Sequence, residues 1–342
     1  MPTLSLYKAI ANSLVTLSMF FAGYAWMRRR ARLPDMWNMF YWLVIGSVLA
    51  ALLGAEGDSS RYYSGLAGNS NYLGWMMAVS LVPVLWKVLD GHVSGGGKNI
   101  YVLLLVLISY YLLQSQSRAA MLIVLSSGFF YIISSGGSKR LLMFGSGTLL
   151  VVGIMLFMPG YGEELFGKYA LKNTGLSLKD AYQQSRGTPM ALSMAAAEQG
   201  GLIGAGYGVS IGSDPAGYRG GLSAVGYGRE KGSSFLAIVE EVGLVGLVLF
   251  VSLLVHFFGC ALKAYRLSPT RQVRTLIGLS SGLFFGQIVH SNFEAWFVAP
   301  GSAESLFFWG FIGALYALWH RVIDDARVGQ RQSSLVGGLS VD

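Results

Sequence analysis

Long apolar runs separated by polar breaks dominate the chain. Nine of them, about 9–27, 37–54, 72–89, 100–115, 119–135, 141–158, 234–258, 274–290 and 304–320, approach the roughly 20 residues a helix needs to cross a bilayer. The stretch from Ile100 to Ser135 is the most informative. As a single helix it would be about 54 Å long, far more than one crossing needs. Gln114, Ser115, Gln116, Ser117 and Arg118 interrupt it. The pattern therefore predicts two helices meeting in a tight hairpin with a cation at its tip. Residues 159–233 contain no comparable run. There Ser177 can cap a helical stretch reaching Gln199, which Pro189 should kink. Gly200–Gly228 follows, with eleven glycines in 29 residues. The prediction is an all-α, polytopic membrane bundle of about nine spans. Residues 1–158 form six helices, 159–233 a long, partly helical outer loop and 234–325 three more helices. Residues 326–342 form a disordered cytoplasmic tail.

Composition agrees. The chain is 53% apolar and 12% charged, with a mean hydropathy of +0.52, whereas soluble domains carry about 25% charged residues. Cys260 is the single cysteine, which excludes an internal disulfide and a multi-cysteine metal site. No His, Asp or Glu spacing fits a metal site, and no cofactor is expected. The first helix has no small-residue cleavage site at Met27-Arg28-Arg29-Arg30, so it reads as a span rather than a signal peptide. The net charge of +8 is explained by basic loops, without invoking nucleic acid. With the Arg28–Arg32 cluster inside, 15 of the 25 Lys and Arg fall in inner segments and three in short outer ones. That asymmetry places the N-terminus outside and the C-terminus inside. The outer face then carries Glu56–Asn71, the Gln114–Arg118 hairpin, residues 159–233 and Ser291–Ala303.

Candidate chemistry gathers on that outer face. A charge at the Arg118 hairpin is expensive, which makes it a functional candidate; the bland alternative is snorkelling to headgroups. Arg61, Tyr63, Gly65, Asn69 and Asn71 lie in one glycine-punctuated loop. A guanidinium, amides and aromatic faces suit a phosphorylated sugar, although tyrosines also anchor ordinary interfacial loops. Arg186 taken alone is a solvated charge. Gly204–Gly208 lacks the strand that a dinucleotide loop requires. Gly278, Gly282 and Gly286 form a helix-packing ridge. Glu241, near the outer end of the seventh span, is either a site residue or a packing hydrogen bond. His290 and Glu294 end the eighth span, where either can act as a general base; the alternative for His290 is a polar helix cap.

Four stretches in this order resemble the O-antigen ligase and O-antigen polymerase family of bacterial envelope proteins. They are Arg61–Asn71 before a span, Ser117-Arg118-Ala119-Ala120 opening a span, Arg186 with Gly204–Gly208 in the long loop, and Ser233–Gly246 opening the seventh span. The resemblance covers roughly residues 60–250. It implies a metal-independent glycosyltransferase of the bacterial inner membrane whose site faces the periplasm. Its donor would be an undecaprenyl-diphosphate-linked glycan and its acceptor another glycan or a lipid. Membrane lipids and a chain-length regulator are the implied partners. It also implies that Arg118 and Arg186 hold the diphosphate, with Arg61 as a third cation and Gly206 and Glu241 as further substrate-binding positions. Ligases of the family often carry a His-Asn pair where this chain reads Gly232-Ser233-Ser234, which favours a polymerase-like relative. Glu294, or else His290, would then activate the acceptor. The rival readings are a transporter or flippase of lipid-linked sugars and a non-catalytic component of a polysaccharide assembly complex.

Overall fold

The computed structural model describes residues 2–29, 40–54, 63–89, 96–136, 187–211, 231–299 and 301–337. Within them the protein is helical. The helices are α1 (Pro2–Arg29), α2 (Tyr41–Leu52), α3 (Ser70–Leu89), α4 (Gly96–Ser115), α5 (Arg118–Ser135), α6 (Thr188–Gly200), α7 (Ser234–Leu267), α8 (Arg271–Ser291) and α9 (Ala303–Gly337). A 3-10 turn, Gly65–Ala67, precedes α3.

Among the described residues six helices are long and apolar enough to cross a membrane: α1, α3, α4, α5, α7 and α9. Exposed Leu103, Val106, Val248, Leu249 and Val255 give α4 and α7 apolar outer surfaces, which only lipid or another apolar partner would favour. The chain is thus a multi-pass, membrane-type helical protein. Three of the nine expected spans fare differently. α2 has 12 residues, about 18 Å of helix, too short to cross alone. α8 has 21 residues, but Arg271, Gln272, Arg274, Gln287 and His290 make it more polar than a membrane span. The expected span at 141–158 lies outside the described residues. So do residues 177–186 of the helical stretch expected in the long loop. Pro189 falls in the first turn of α6, where its missing N–H costs nothing. At the C-terminus, α9 continues to Gly337, into the tail expected to be disordered. A docked helix needs no new nucleus to add turns, and Gln and Arg propagate it well.

The helices form two compact units. The first comprises Met1–Met36, Pro189–Phe284 and Ser291–Asp342; the second comprises Trp37–Thr188 and Phe285–His290. In the first, α1 and α7 pack on α9. A Cβ on Gly23 would fall 1.9 Å from the Gly310 carbonyl oxygen, and one on Gly313 would fall 2.0 Å from that of Phe20. Glycine therefore lets the α1 and α9 backbones touch, the usual packing device between membrane helices. Phe308, Phe311, Ile312, Leu315, Leu318 and Trp319 of α9 are buried. In the second unit, α3 is central and packs on α2, α4 and α5. Its Leu73, Trp75, Met77, Ala78 and Val79 are buried, and Ser80 bonds Ser47 of α2 at 3.0 Å.

Candidate functional site

The predicted hairpin is present. α4 ends at Ser115 and α5 opens at Arg118. The Ser115 hydroxyl donates to the Leu112 carbonyl at 2.7 Å and accepts from the Ser117 N–H at 3.3 Å. Ser117 caps α5, its hydroxyl accepting from the Ala120 N–H at 3.4 Å. Gln116 takes a left-handed backbone, φ 50°, to make the turn. Ser115, Gln116 and Ser117 are all buried. A Cβ on Gly74 of α3 would fall 2.4 Å from Ser117 Cβ, so only glycine admits the hairpin at this depth. Arg118 is half-buried at the first position of α5, and the first turn contains no acidic residue. Helix N-termini repel cations and attract anions. The guanidinium and the first N–H groups of α5 therefore favour the same ligand, an anion at the hairpin.

The loop before α3 lies at this end of the unit. Tyr63 packs on Tyr111 of α4, with ring centroids 5.4 Å apart. Its hydroxyl donates to the carbonyl of Ala51 and to that of Gly54 at 3.2 Å. A Cβ on Gly65, φ 53°, would meet the Ala50 carbonyl oxygen at 2.4 Å. The Asn69 side-chain oxygen accepts from the Asn71 and Tyr72 N–H groups at 2.8 and 3.3 Å, capping α3. Tyr63, Gly65, Asn69 and the Asn71 backbone thus shape the loop at the hairpin end of the unit. Arg61 lies outside the described residues.

The end of α8 reaches the same place. Gly286, part of the predicted packing ridge, meets α5: its Cβ would fall 2.7 Å from Ile123 Cα. Phe285 and Phe130 bring their rings within 5.8 Å. Helix side chains lean toward their own N-terminus, so residues 285 and 130 meet at this register only if the helices are antiparallel. Four residues beyond Gly286, His290 is then level with Ala119, beside Arg118. His290 is 1% exposed. Gln287 lies about one turn deeper and is fully buried.

The first unit holds a different arrangement. Gly243 breaks α7 with φ 74° and ψ −177°. Residues 200–211 dock against this break. Ala205 and Gly206 donate their N–H groups to the carbonyls of Glu240 and Glu241 at 2.8 and 3.0 Å. Leu244 and Val245 donate to those of Gly201 and Leu202 at 3.0 and 3.2 Å. Glu241 accepts from the Gly208 N–H at 2.6 Å and pairs with Lys231 at 2.5 Å. Glu240 accepts from the Ile211 N–H at 2.7 Å and lies 3.3 Å from Lys231. Lys8 of α1, also buried, donates to the Gly208 carbonyl at 3.0 Å. Burial pushes the Tyr207 phenol pKa up, and the neighbouring Glu241 carboxylate adds to the shift. Glu241 and Gly206 thus fasten the glycine-rich loop to α7. Sequence reasoning missed Lys231, Lys8 and the break at Gly243. One signal was available: Lys8 is a lone cation within an apolar helix, which by itself calls for a buried partner.

Gly232-Ser233-Ser234 also serves docking. The Gly232 N–H donates to the Ser193 hydroxyl at 2.9 Å. The Ser234 hydroxyl donates to the Glu294 carbonyl at 2.8 Å and accepts from the Phe297 N–H at 3.2 Å. These bonds fix the Glu294 loop through its backbone, and Glu294 itself is half-buried. Glu304 at the start of α9 lies within electrostatic reach of it.

The structure therefore gathers Arg118, His290, Tyr63, Gly65, Asn69 and Asn71 in the second unit. It places Glu294, Glu241 and Gly206 in the first. Arg186 lies outside the described residues. Among the described residues, no group of three or more His, Cys, Asp or Glu side chains could hold a metal ion. A cavity of about 730 Å³ opens among α2, α3 and α4 and is lined by apolar side chains with Lys87 and the Tyr41 and Tyr101 rings. It involves the start of α4, the opposite end from the hairpin, and contains none of these residues. No protein-family model matches the chain, and no curated protein is significantly similar to it.

Proposed function

We propose that the protein is a membrane glycosyltransferase that transfers or polymerises glycan units carried on undecaprenyl diphosphate. The observation that carries this reading is Arg118, half-buried at the N-terminus of α5 with His290 at its level. The cation and the helix end together suit a diphosphate. In the reaction, a base takes the proton of the acceptor hydroxyl, and the freed oxygen attacks the anomeric carbon. The bond from that carbon to the diphosphate oxygen breaks, and its electron pair leaves with the lipid diphosphate. Arg118 stabilises the charge that develops there, as fixed cations do in phosphoryl chemistry. Arg186 and Arg61 are its expected companions. His290 is the proposed base because it shares Arg118's unit and level; Glu294 is the alternative favoured by sequence alone. The site would face the periplasmic side of the inner membrane.

The test is glycan chain length in cells carrying Arg118→Ala or Arg118→Lys, with protein levels matched. Both variants are expected to lose polymer, because lysine keeps the charge but not the planar fork that grips two phosphate oxygens. Near-normal polymer from the lysine variant would reduce Arg118 to a headgroup anchor. Lipid-linked units trapped on the cytoplasmic leaflet would instead indicate a flippase.

A further inference from the structure

The loop closes the break in α7 bond for bond. In an unbroken helix the Leu244 and Val245 N–H groups would bond the Glu240 and Glu241 carbonyls. At Gly243 all four groups turn to the loop instead. Gly201 and Leu202 supply the carbonyls, at 3.0 and 3.2 Å, and Ala205 and Gly206 supply the N–H groups, at 2.8 and 3.0 Å. A break open to water needs no such exchange, because water satisfies it. A break at membrane depth does, since backbone there must be paired within the protein. The level of the break agrees. From Leu244 to Leu262, 19 residues of α7 include no Lys, Arg, Asp or Glu, and Lys263 follows. That length is about 28 Å, close to the roughly 30 Å of a bilayer's hydrocarbon core. The break therefore marks one edge of that core, the outer edge on the charge asymmetry of the chain.

The side chains at this level are apolar and uncovered. Leu202 and Ile203, at the tip of the loop, are 68% and 83% exposed. Their peptide lies against the break: a Cβ on Gly243 would stand 2.3 Å from the Leu202 carbonyl carbon and 2.4 Å from the Ile203 nitrogen. Gly201 and Gly204, with φ of 60° and 79°, turn the chain on either side of the pair. Leu244 and Val245 are exposed beside it, and Val248 and Leu249, about one turn further along, continue the same stripe. The two aliphatic side chains thus extend the apolar outer surface of α7 beyond the helix itself. We infer that Leu202 and Ile203 anchor the glycine-rich loop in the membrane, dipping into the outer leaflet at the α7 break with lipid acyl chains as their partner. A lipid surface is that partner whatever ligand the hairpin binds. The anchor also sets a depth. Buried Lys231, Glu240 and Glu241 then stay just outside the hydrocarbon, where charged groups cost less than at the bilayer centre.

The test places a nitroxide label on Ile203→Cys in the full-length protein, with Cys260→Ser removing the single native thiol. The protein is reconstituted in vesicles of phosphatidylethanolamine and phosphatidylglycerol. Collisions of the label with oxygen, which concentrates in hydrocarbon, are compared with those of a water-soluble nickel chelate. Leu249→Cys and Gln199→Cys, both at exposed positions, supply the lipid and aqueous references. The label at 203 should lose most of the nickel accessibility seen at 199 and favour oxygen as the label at 249 does. Nickel accessibility equal to that at 199 puts the tip in water and overturns the inference. Low accessibility to both reagents also overturns it, because a second copy or another protein then covers the tip. Should Ile203→Cys not fold, Leu202→Cys carries the same expectation.

Discussion

Gly243→Ala tests the device on which the first unit depends. The backbone at Gly243, φ 74° and ψ −177°, lies in a region essentially reserved for glycine. Forcing alanine there costs about 1–3 kcal/mol. The new Cβ would also stand 2.2 Å from the Leu202 carbonyl oxygen. That neighbour is backbone, so the loop must retreat. Retreat breaks the hydrogen bonds from Leu244 to Gly201 and from Val245 to Leu202. Each is worth about 0.5–1.5 kcal/mol net. The expected loss is about 2–6 kcal/mol, a large share of the 5–15 kcal/mol that typically holds a protein folded. Gly259 in the same helix is the control, because nothing lies within 4 Å of a Cβ placed there. Gly259→Ala should stabilise by about 0.5–1 kcal/mol through helix propensity. Both variants are measured by denaturant unfolding in mixed micelles, with limited proteolysis of residues 200–211 as a local readout. A Gly243→Ala protein within about 0.5 kcal/mol of wild type, its loop as resistant as before, would refute the reasoning.

The buried charges give a second expectation. Lys231→Met leaves Glu240 and Glu241 without their shared cation and should cost about 3–5 kcal/mol. Glu241→Gln retains the Lys231–Glu240 contact and should cost about 1–3 kcal/mol by the same unfolding assay. Equal losses would mean that the two carboxylates do not share the lysine. The acceptor base is decided by His290→Gln and Glu294→Gln in a transfer assay with lipid-linked donor. Loss of a general base lowers the rate about 10²–10⁴-fold, so His290→Gln should fall that far while Glu294→Gln stays within about tenfold. The reverse order would give the role to Glu294. Glutamine keeps much of the size and the hydrogen-bonding capacity of either side chain, so both variants should fold as wild type does in the same unfolding assay.

The sequence by itself determined the helical, membrane-type architecture. Apolar runs of bilayer length leave helices as the only open structures able to satisfy their own backbone. It also located the Arg118 hairpin, because five polar residues between two apolar runs permit little else. Among the described residues six helices have the length and apolarity of a span, while α2 is shorter and α8 carries several polar groups. Only the tertiary structure revealed what the polar residues meet. Nothing local in Glu240-Glu241 or Lys231 states that they pair, or that Lys8, some 200 residues away, joins the same loop. Gly243 reads as an ordinary helix glycine until its backbone is seen turned toward Leu202. The level of His290 with Arg118 follows from the contact of Gly286 with Ile123. Periodicity and charge are properties of neighbouring residues, so sequence carries them directly. Partnership between distant residues depends on helix register and close approach, which exist only once the chain has packed.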